Sequence, residues 1–149
     1  MSSLSGAGAT AAEMWGYTER LVTARTDSLI SLPSTADGIL CASTTTAYAY
    51  GPWVQVSSGI ANNIVICALL VDNTTLYDLD TTVQIGTGDA GSEAAKVQFT
   101  KQLDSSYPLA YVNLTYPINI PANTRIAARV STDGTTSMNI RVSIMYYTV

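Results

Sequence analysis

The stretch from Tyr116 to Val149, YPINIPANTRIAARVSTDGTTSMNIRVSIMYYTV, constrains the fold of this chain more than any other. Apolar residues fall at every second position: Ile118 and Ile120, then Ile126, Ala128 and Val130, then Ile140, Val142, Ile144 and Tyr146. Successive side chains of a β-strand point to opposite faces, so this spacing sets one apolar row against a core. Pro117 and Pro121 punctuate the run. The TDGTTS segment over 132–137 carries turn chemistry, with Asp-Gly inside it.

The rest of the chain repeats this pattern. Apolar runs at Leu29–Leu32, Ile39–Ala42, Trp53–Val56, Ile64–Val71, Leu76–Ile85, Ala94–Gln102 and Leu109–Leu114 alternate with Gly, Pro, Asn and Asp punctuation. Ala47–Tyr50 is a further apolar segment running up to Gly51-Pro52. The IVICALLV run is the most apolar and predicts a central strand buried on both faces. About eight to ten short strands with turns every 8–12 residues predict a sandwich or barrel. The expectation is all-β: a single-domain antiparallel β-sandwich over 26–149, preceded by an N-terminal arm over 1–25. At 149 residues the chain has the length of one domain.

The arm differs in composition. Residues 1–12 are Ser/Gly/Ala-rich and read as flexible. Residues 11–24 carry Met14, Tyr17, Leu21 and Ala24 at helical spacing, which admits a short helix that Gly16 weakens. Trp15 and Tyr17 are costly to leave in water. Met14, Trp15 and Tyr17 are therefore candidate contact residues, folded back on the domain or docked on a neighbour.

Only 12% of residues are charged, about half the usual share. A surface with so few charges is either a Thr/Ser-rich outer face or one covered by partners. Nine Tyr and two Trp against one Phe favour partly wet contacts, since these rings have polar tips. The net charge of −4 argues against nucleic acid as a general partner. No apolar run approaches the roughly 18 residues of a membrane helix, so no membrane partner is expected. The N-terminus lacks the features of a secretory signal, and synthesis in a cytoplasm is expected.

Catalytic and metal chemistry find little support. With no His, neither a Ser-His-Asp nor a Cys-His arrangement can form. Cys41 and Cys67 sit in apolar runs and read as buried free thiols; a disulfide would need the two strands side by side. Asp72, Asp78 and Asp80 cluster but lack calcium-loop spacing. The GTGDAG segment matches G-x-G-x-x-G, yet the SEAAKVQFTK run after it leaves no room for a crossover helix, so it reads as a strand-to-strand loop. No cofactor is expected.

Two segments, VQIGTGDAGSE (Val83–Glu93) and INIPANTRIAARV (Ile118–Val130), with the closing NIRVSIMYY, resemble small structural proteins of tailed-bacteriophage virions, which carry similar "IGTG-AG-E" and "IPA-TRIA-RV" segments. The resemblance implies a jelly-roll-like sandwich used as a head decoration or other virion component, located in the virion. It implies binding to copies of itself, a trimer being favoured by analogy, and to capsid or other virion proteins. The rival expectation is a carbohydrate-binding sandwich of a tail or fibre, with Tyr48, Tyr50 or Trp53 as stacking platforms.

Strand alternation sends Arg125 and Arg129 outward together, and Arg141 outward from the last strand. If those strands form a hairpin across TDGTTS, the three arginines share one patch, a candidate interface. If a jelly roll puts the strands in opposite sheets, the patch dissolves.

Overall fold

The computed structural model describes residues 3–4, 9–10, 30–34, 38–74, 78–104, 106 and 108–149. The strands in chain order are β1 (Ser3–Leu4), β2 (Ala9–Thr10), β3 (Ile30–Leu32), β4 (Ile39–Ala42), β5 (Val54–Ser57), β6 (Ile64–Asn73), β7 (Leu79–Thr87), β8 (Ala94–Leu103), β9 (Leu109–Ile120), β10 (Ile126–Thr132) and β11 (Asn139–Thr148). Among the described residues β1 and β2 pair only with each other. Among the described residues there is no helix, hence none long and apolar enough to cross a membrane. The short helix expected near Met14 falls outside the described residues.

Two antiparallel sheets form the body. One has the order β5-β10-β7-β8, the other β3-β11-β6-β9, with β4 also paired to β11. β3 and β4 bond to successive stretches of β11, Ile144–Tyr146 and Asn139–Val142, and so act as one edge strand interrupted at Pro33. Counting them as one gives eight strands. Lettered B to I along the chain, these run B-I-D-G in one sheet and C-H-E-F in the other, which is the jelly-roll arrangement of two Greek keys.

Alternation explains why the sheets stack. Ile126, Ala128 and Val130 of β10 join Val83 and Ile85 of β7 on one inner face. Ile64, Ile66, Leu69 and Val71 of β6 join Ile140, Val142, Ile144 and Tyr146 of β11 on the other, and all belong to one buried cluster. Burying each Ile, Leu or Val side chain among them contributes roughly 1.5–3 kcal/mol. Cys41 adds a thiol to this core, its Sγ 3.8 Å from the Ala128 carbonyl of the opposite sheet.

β10 and β11 are consecutive and joined by the TDGTTS turn, yet they belong to different sheets. The turn crosses from one sheet to the other instead of closing a hairpin.

Three local features depart from the pattern. β9 runs unbroken through Pro117, although Pro removes a ladder donor; β9 lies at a sheet edge, where that loss is tolerated. Against β11 the register of β6 steps from Ala68↔Met145 to Ile66↔Tyr146, a one-residue β-bulge at Cys67, and against β9 it jumps from Ala68↔Asn113 to Ile66↔Ile118, which leaves residues 114–117, Pro117 among them, without a register partner on β6. The bulge leaves Cys67 half-buried, its Sγ 3.4 Å from the Met145 carbonyl, so the expectation of two fully buried thiols holds only for Cys41. Neither cysteine is in a disulfide. Finally, Ala47–Tyr50 forms a turn and not a strand, with Tyr48 at φ 62° and its amide donating to the Thr132 carbonyl at 2.7 Å.

Candidate functional site

The segment between β4 and β5 carries three aromatics and lies along β10: the Gly51 amide donates to the Val130 carbonyl at 2.9 Å. This brings Tyr50 and Trp53 over the outward side of β10, where Arg129 projects. The Arg129 guanidinium carbon stands 4.5 Å from the Tyr50 ring centroid and 4.4 Å from that of Trp53. Such cation–π contacts contribute about 0.5–2 kcal/mol each. Burial pushes the Tyr50 phenol above its ordinary value, against the lowering pull of the Arg129 charge and a hydrogen bond with Ser131.

The Trp53 ring fits because of Gly86. A Cβ there would come within 2.7 Å of Trp53 Cη2 and 2.9 Å of the Ala94 carbonyl oxygen. Arg129 Nε donates to Gln84 Oε1 at 2.7 Å, and Gln84 Nε2 donates to Gln98 Oε1 at 2.6 Å. Thr82 and Thr100, one outward step along, share a 2.8 Å hydroxyl contact. This outer face is thus a Thr/Gln ladder with one stacked cation.

Arg125, just before β10, has a different environment. Its Nη1 donates to Glu93 Oε1 at 2.7 Å and to the Gly88 carbonyl at 3.1 Å, and its Nε donates to Gln55 Oε1 at 3.0 Å. Glu93 Oε2 accepts the Gly91 amide at 2.9 Å. Burial raises the Glu93 carboxyl, but hydrogen bonds from its own amide, Arg125 and Gly91 outweigh it and hold the carboxyl below its ordinary value. The G-x-G-x-x-G match is the β7–β8 hairpin loop, with Gly88 and Gly91 at φ 124° and 89°. The two sequence segments that carry the virion resemblance are therefore bonded neighbours: β7 pairs with β10, and Arg125 fastens the hairpin loop.

Arg141 sits in the other sheet, in register with Asp72 of β6 and Leu40 of β4. The three-arginine patch does not form, because β10 and β11 belong to opposite sheets. Met14, Trp15 and Tyr17 lie outside the described residues.

The outward face around Arg141 is apolar. Leu40, Leu109 and Tyr111 are 49%, 56% and 54% exposed. Register places Leu70, Met145 and Tyr147 outward on the same sheet, alternating with the buried Leu69, Ile144 and Tyr146. The two outer faces therefore differ: Thr and Gln with Arg125 and Arg129 on one, and a largely apolar surface around Arg141 and Asp72 on the other.

A depression of about 260 Å³ between Asn63, Ile64, Asn119, Ile120, Pro121 and Val149 holds no Asp, Glu, Cys, Lys or Arg side chain. Among the described residues, no three His, Cys, Asp or Glu side chains gather where they could hold a metal ion.

Sequence reasoning named Arg125 and Arg129 but missed Glu93, Gln84 and Gln98 as their partners. Gln84 and Gln98 fall at outward positions of their strands, a signal that becomes usable only once β7 is known to lie between β8 and β10.

No protein-family model matches the chain, and no curated protein matches its sequence. Solved structures with a similar strand arrangement include a chain of the T13 IBDV viral particle, at 17% identity and TM-score 0.47, covering 79% of this chain and 30% of that one. A chain of the infectious bursal disease virus Gx strain matches at 14% identity and TM-score 0.45, over 79% and 32% of the two chains. The VP2 subviral particle of infectious bursal disease virus matches at 14% and 0.42, over the same shares. This chain thus spans about a third of the length of those it matches, and a likeness at this level assigns neither a function nor a residue role.

Proposed function

We propose that this chain is a non-enzymatic structural protein of a virion, bound to a symmetric protein lattice as a capsid accessory or decoration component. The observation that carries the reading is the outward face of the β3-β11-β6-β9 sheet. Its inner face already forms the core, yet Leu40, Leu109 and Tyr111 still stand about half exposed on the outer one. Apolar surface of this kind on a regular sheet is favourable to cover, and copies of this chain or a shell protein are the occupants that a lattice supplies. Jelly rolls serve in viral shells, and also in lectins, so the fold is compatible with the reading without deciding it. The phage-type resemblance of the Val83–Glu93 and Ile118–Val130 segments points the same way.

The test is the mass of the purified protein by light scattering, with co-sedimentation on capsids of the virus that encodes it. Wild type is expected to self-associate or to sediment with the shell. Leu40→Lys combined with Tyr111→Lys should abolish this while the melting temperature stays near that of wild type, because both positions are half exposed. A wild-type monomer that binds no capsid sinks the reading.

One observation favours a glycan-binding alternative. Tyr48 is 68% exposed at a left-handed φ of 62°, and non-Gly residues held in such strain cluster at ligand sites. Tyr50 and Trp53 each already stack one ring face on Arg129, which leaves Tyr48 as the more available platform. Binding on a glycan array that Tyr48→Ala removes, together with a monomeric protein, would favour this alternative.

A further inference from the structure

Two arginines belong to the same stretch of chain, Arg125 just before β10 and Arg129 within it, and their surroundings differ. Arg125 is closed by partners within the chain: Glu93, Gly88 and Gln55 take its donors. Arg129 is held but open. Tyr50 and Trp53 both stack against its guanidinium, and Nε is taken by Gln84, which Gln98 fixes in turn. Its two Nη groups meet no acceptor among the described residues. A guanidinium carries five N–H donors, so four of them stand in a fork with no intrachain acceptor described.

Arg125 is paired with Glu93, whereas Arg129 has no acid beside it among the described residues. Asp80 lies four residues along β7 from Gln84, on the order of 13 Å away. The neighbours on this face, Thr82, Gln84, Gln98, Thr100 and Ser131, are uncharged. On β5, β7 and β10 Arg129 is the sole cation; β8, beyond β7, carries Lys96 at the register shift and Lys101 opposite the inward Thr81. A single charge with no second cation on its own strand or on the strands paired with it suits a monoanion better than a phosphate, which carries close to two charges. The planar fork suits a carboxylate, which it can meet through two parallel hydrogen bonds. Its rotamer freedom is already lost to the stacking and to Gln84, so little further ordering opposes binding.

We propose that Arg129, clamped by Tyr50 and Trp53, is a preformed site for an Asp or Glu carboxylate on a neighbouring protein subunit. This rests on the lattice-binding reading above. It adds a second contact point, on the sheet opposite the apolar face, and gives the chemistry of its partner.

The experiment measures association, with itself or with the capsid, for wild type, Arg129→Gln and Arg129→Lys across about 0.05 to 0.5 M salt. The variants are first shown to be folded by a cooperative thermal transition. Arg129→Gln should weaken association about tenfold or more and flatten its salt dependence. Arg129→Lys keeps the charge but loses the fork, and should fall between the two. If wild type assembles and Arg129→Gln matches it at every salt concentration, this inference fails while the virion reading stands. If wild type neither assembles nor binds capsid, both fail. If instead a carboxylated glycan binds wild type but not Arg129→Gln, with association unchanged, the protein-carboxylate assignment is overturned in favour of an acidic sugar.

Discussion

Arg125 Nη1 lies 2.7 Å from Glu93 Oε1, which ties the entry of β10 to the end of the β7–β8 loop. Glu93 is held below the ordinary carboxylate range, so its folded form binds a proton less readily than its unfolded form. A depressed carboxyl contributes stability above its unfolded pKa and loses that contribution as pH falls through the folded one. Wild type should therefore lose stability on acidification from the ordinary glutamate range, about 4.3, downward. Glu93→Gln should start less stable near neutral pH and show a smaller drop across that window. Melting temperatures of both proteins between about pH 6 and pH 3 check this. Parallel curves would mean that the pair contributes nothing specific.

The thiols give a second prediction. Burial pushes Cys41 up to about 12, so near pH 8 only about one molecule in ten thousand carries the thiolate there. Cys67 is only half-buried, at the β6 bulge, and so stands more open to reagent than Cys41. Native protein should take up one equivalent of alkylating reagent per chain, at Cys67, and a second only after unfolding. Peptide mass analysis assigns the positions. Prompt native labelling of Cys41 would contradict its place between the sheets.

The strands were legible because their inner rows are so regular. Ile126, Ala128 and Val130, or Ile140, Val142 and Ile144, can face a core in one way only. The pairing was less legible. TDGTTS carries hairpin chemistry, and the same residues serve equally well where the chain passes between sheets, so the local sequence did not determine whether Arg129 and Arg141 would meet. Their separation follows from β10 pairing with β5 and β7 while β11 pairs with β6, choices between strands distant in sequence. The Tyr50–Arg129–Trp53 stack was hidden for the same reason, since the ring positions precede the cation by more than 70 residues. Only the excess of polar-tipped aromatics hinted at it. Pro117 read as punctuation because its strand's edge position could not be known from the sequence.

Thr81 provides a stability test of the inner face. It points inward on β7, is fully buried, and its Oγ1 has no hydrogen-bond partner among the described residues. A buried hydroxyl without a partner costs about 1–3 kcal/mol of desolvation. Val has nearly the same shape and an equal liking for strands. Thr81→Val should raise stability by about 1 kcal/mol, read as a higher urea midpoint at unchanged slope. A lower midpoint would mean that the hydroxyl is bonded in solution.

Gly86 decides whether the aromatic clamp is as tight as its distances indicate. A methyl group at this position meets Trp53 Cη2 at 2.7 Å and Cζ3 at 3.0 Å, and on its other side the Ala94 carbonyl at 2.9 Å. The carbonyl belongs to the β8 ladder and cannot swing away, so the indole must move. Moving it withdraws one wall from Arg129, whose guanidinium carbon sits 4.4 Å from that ring. Gly86→Ala should therefore destabilise the fold by about 1–3 kcal/mol, the usual range for overpacking. It should also change the emission of Trp53, read in a Trp15→Phe background so that one indole reports. The two effects share a cause, so Arg129→Gln should cost less in the Gly86→Ala protein than in wild type, a coupling that a double-mutant cycle in urea resolves. Strict additivity, with unchanged emission, would show that the ring does not hold the arginine.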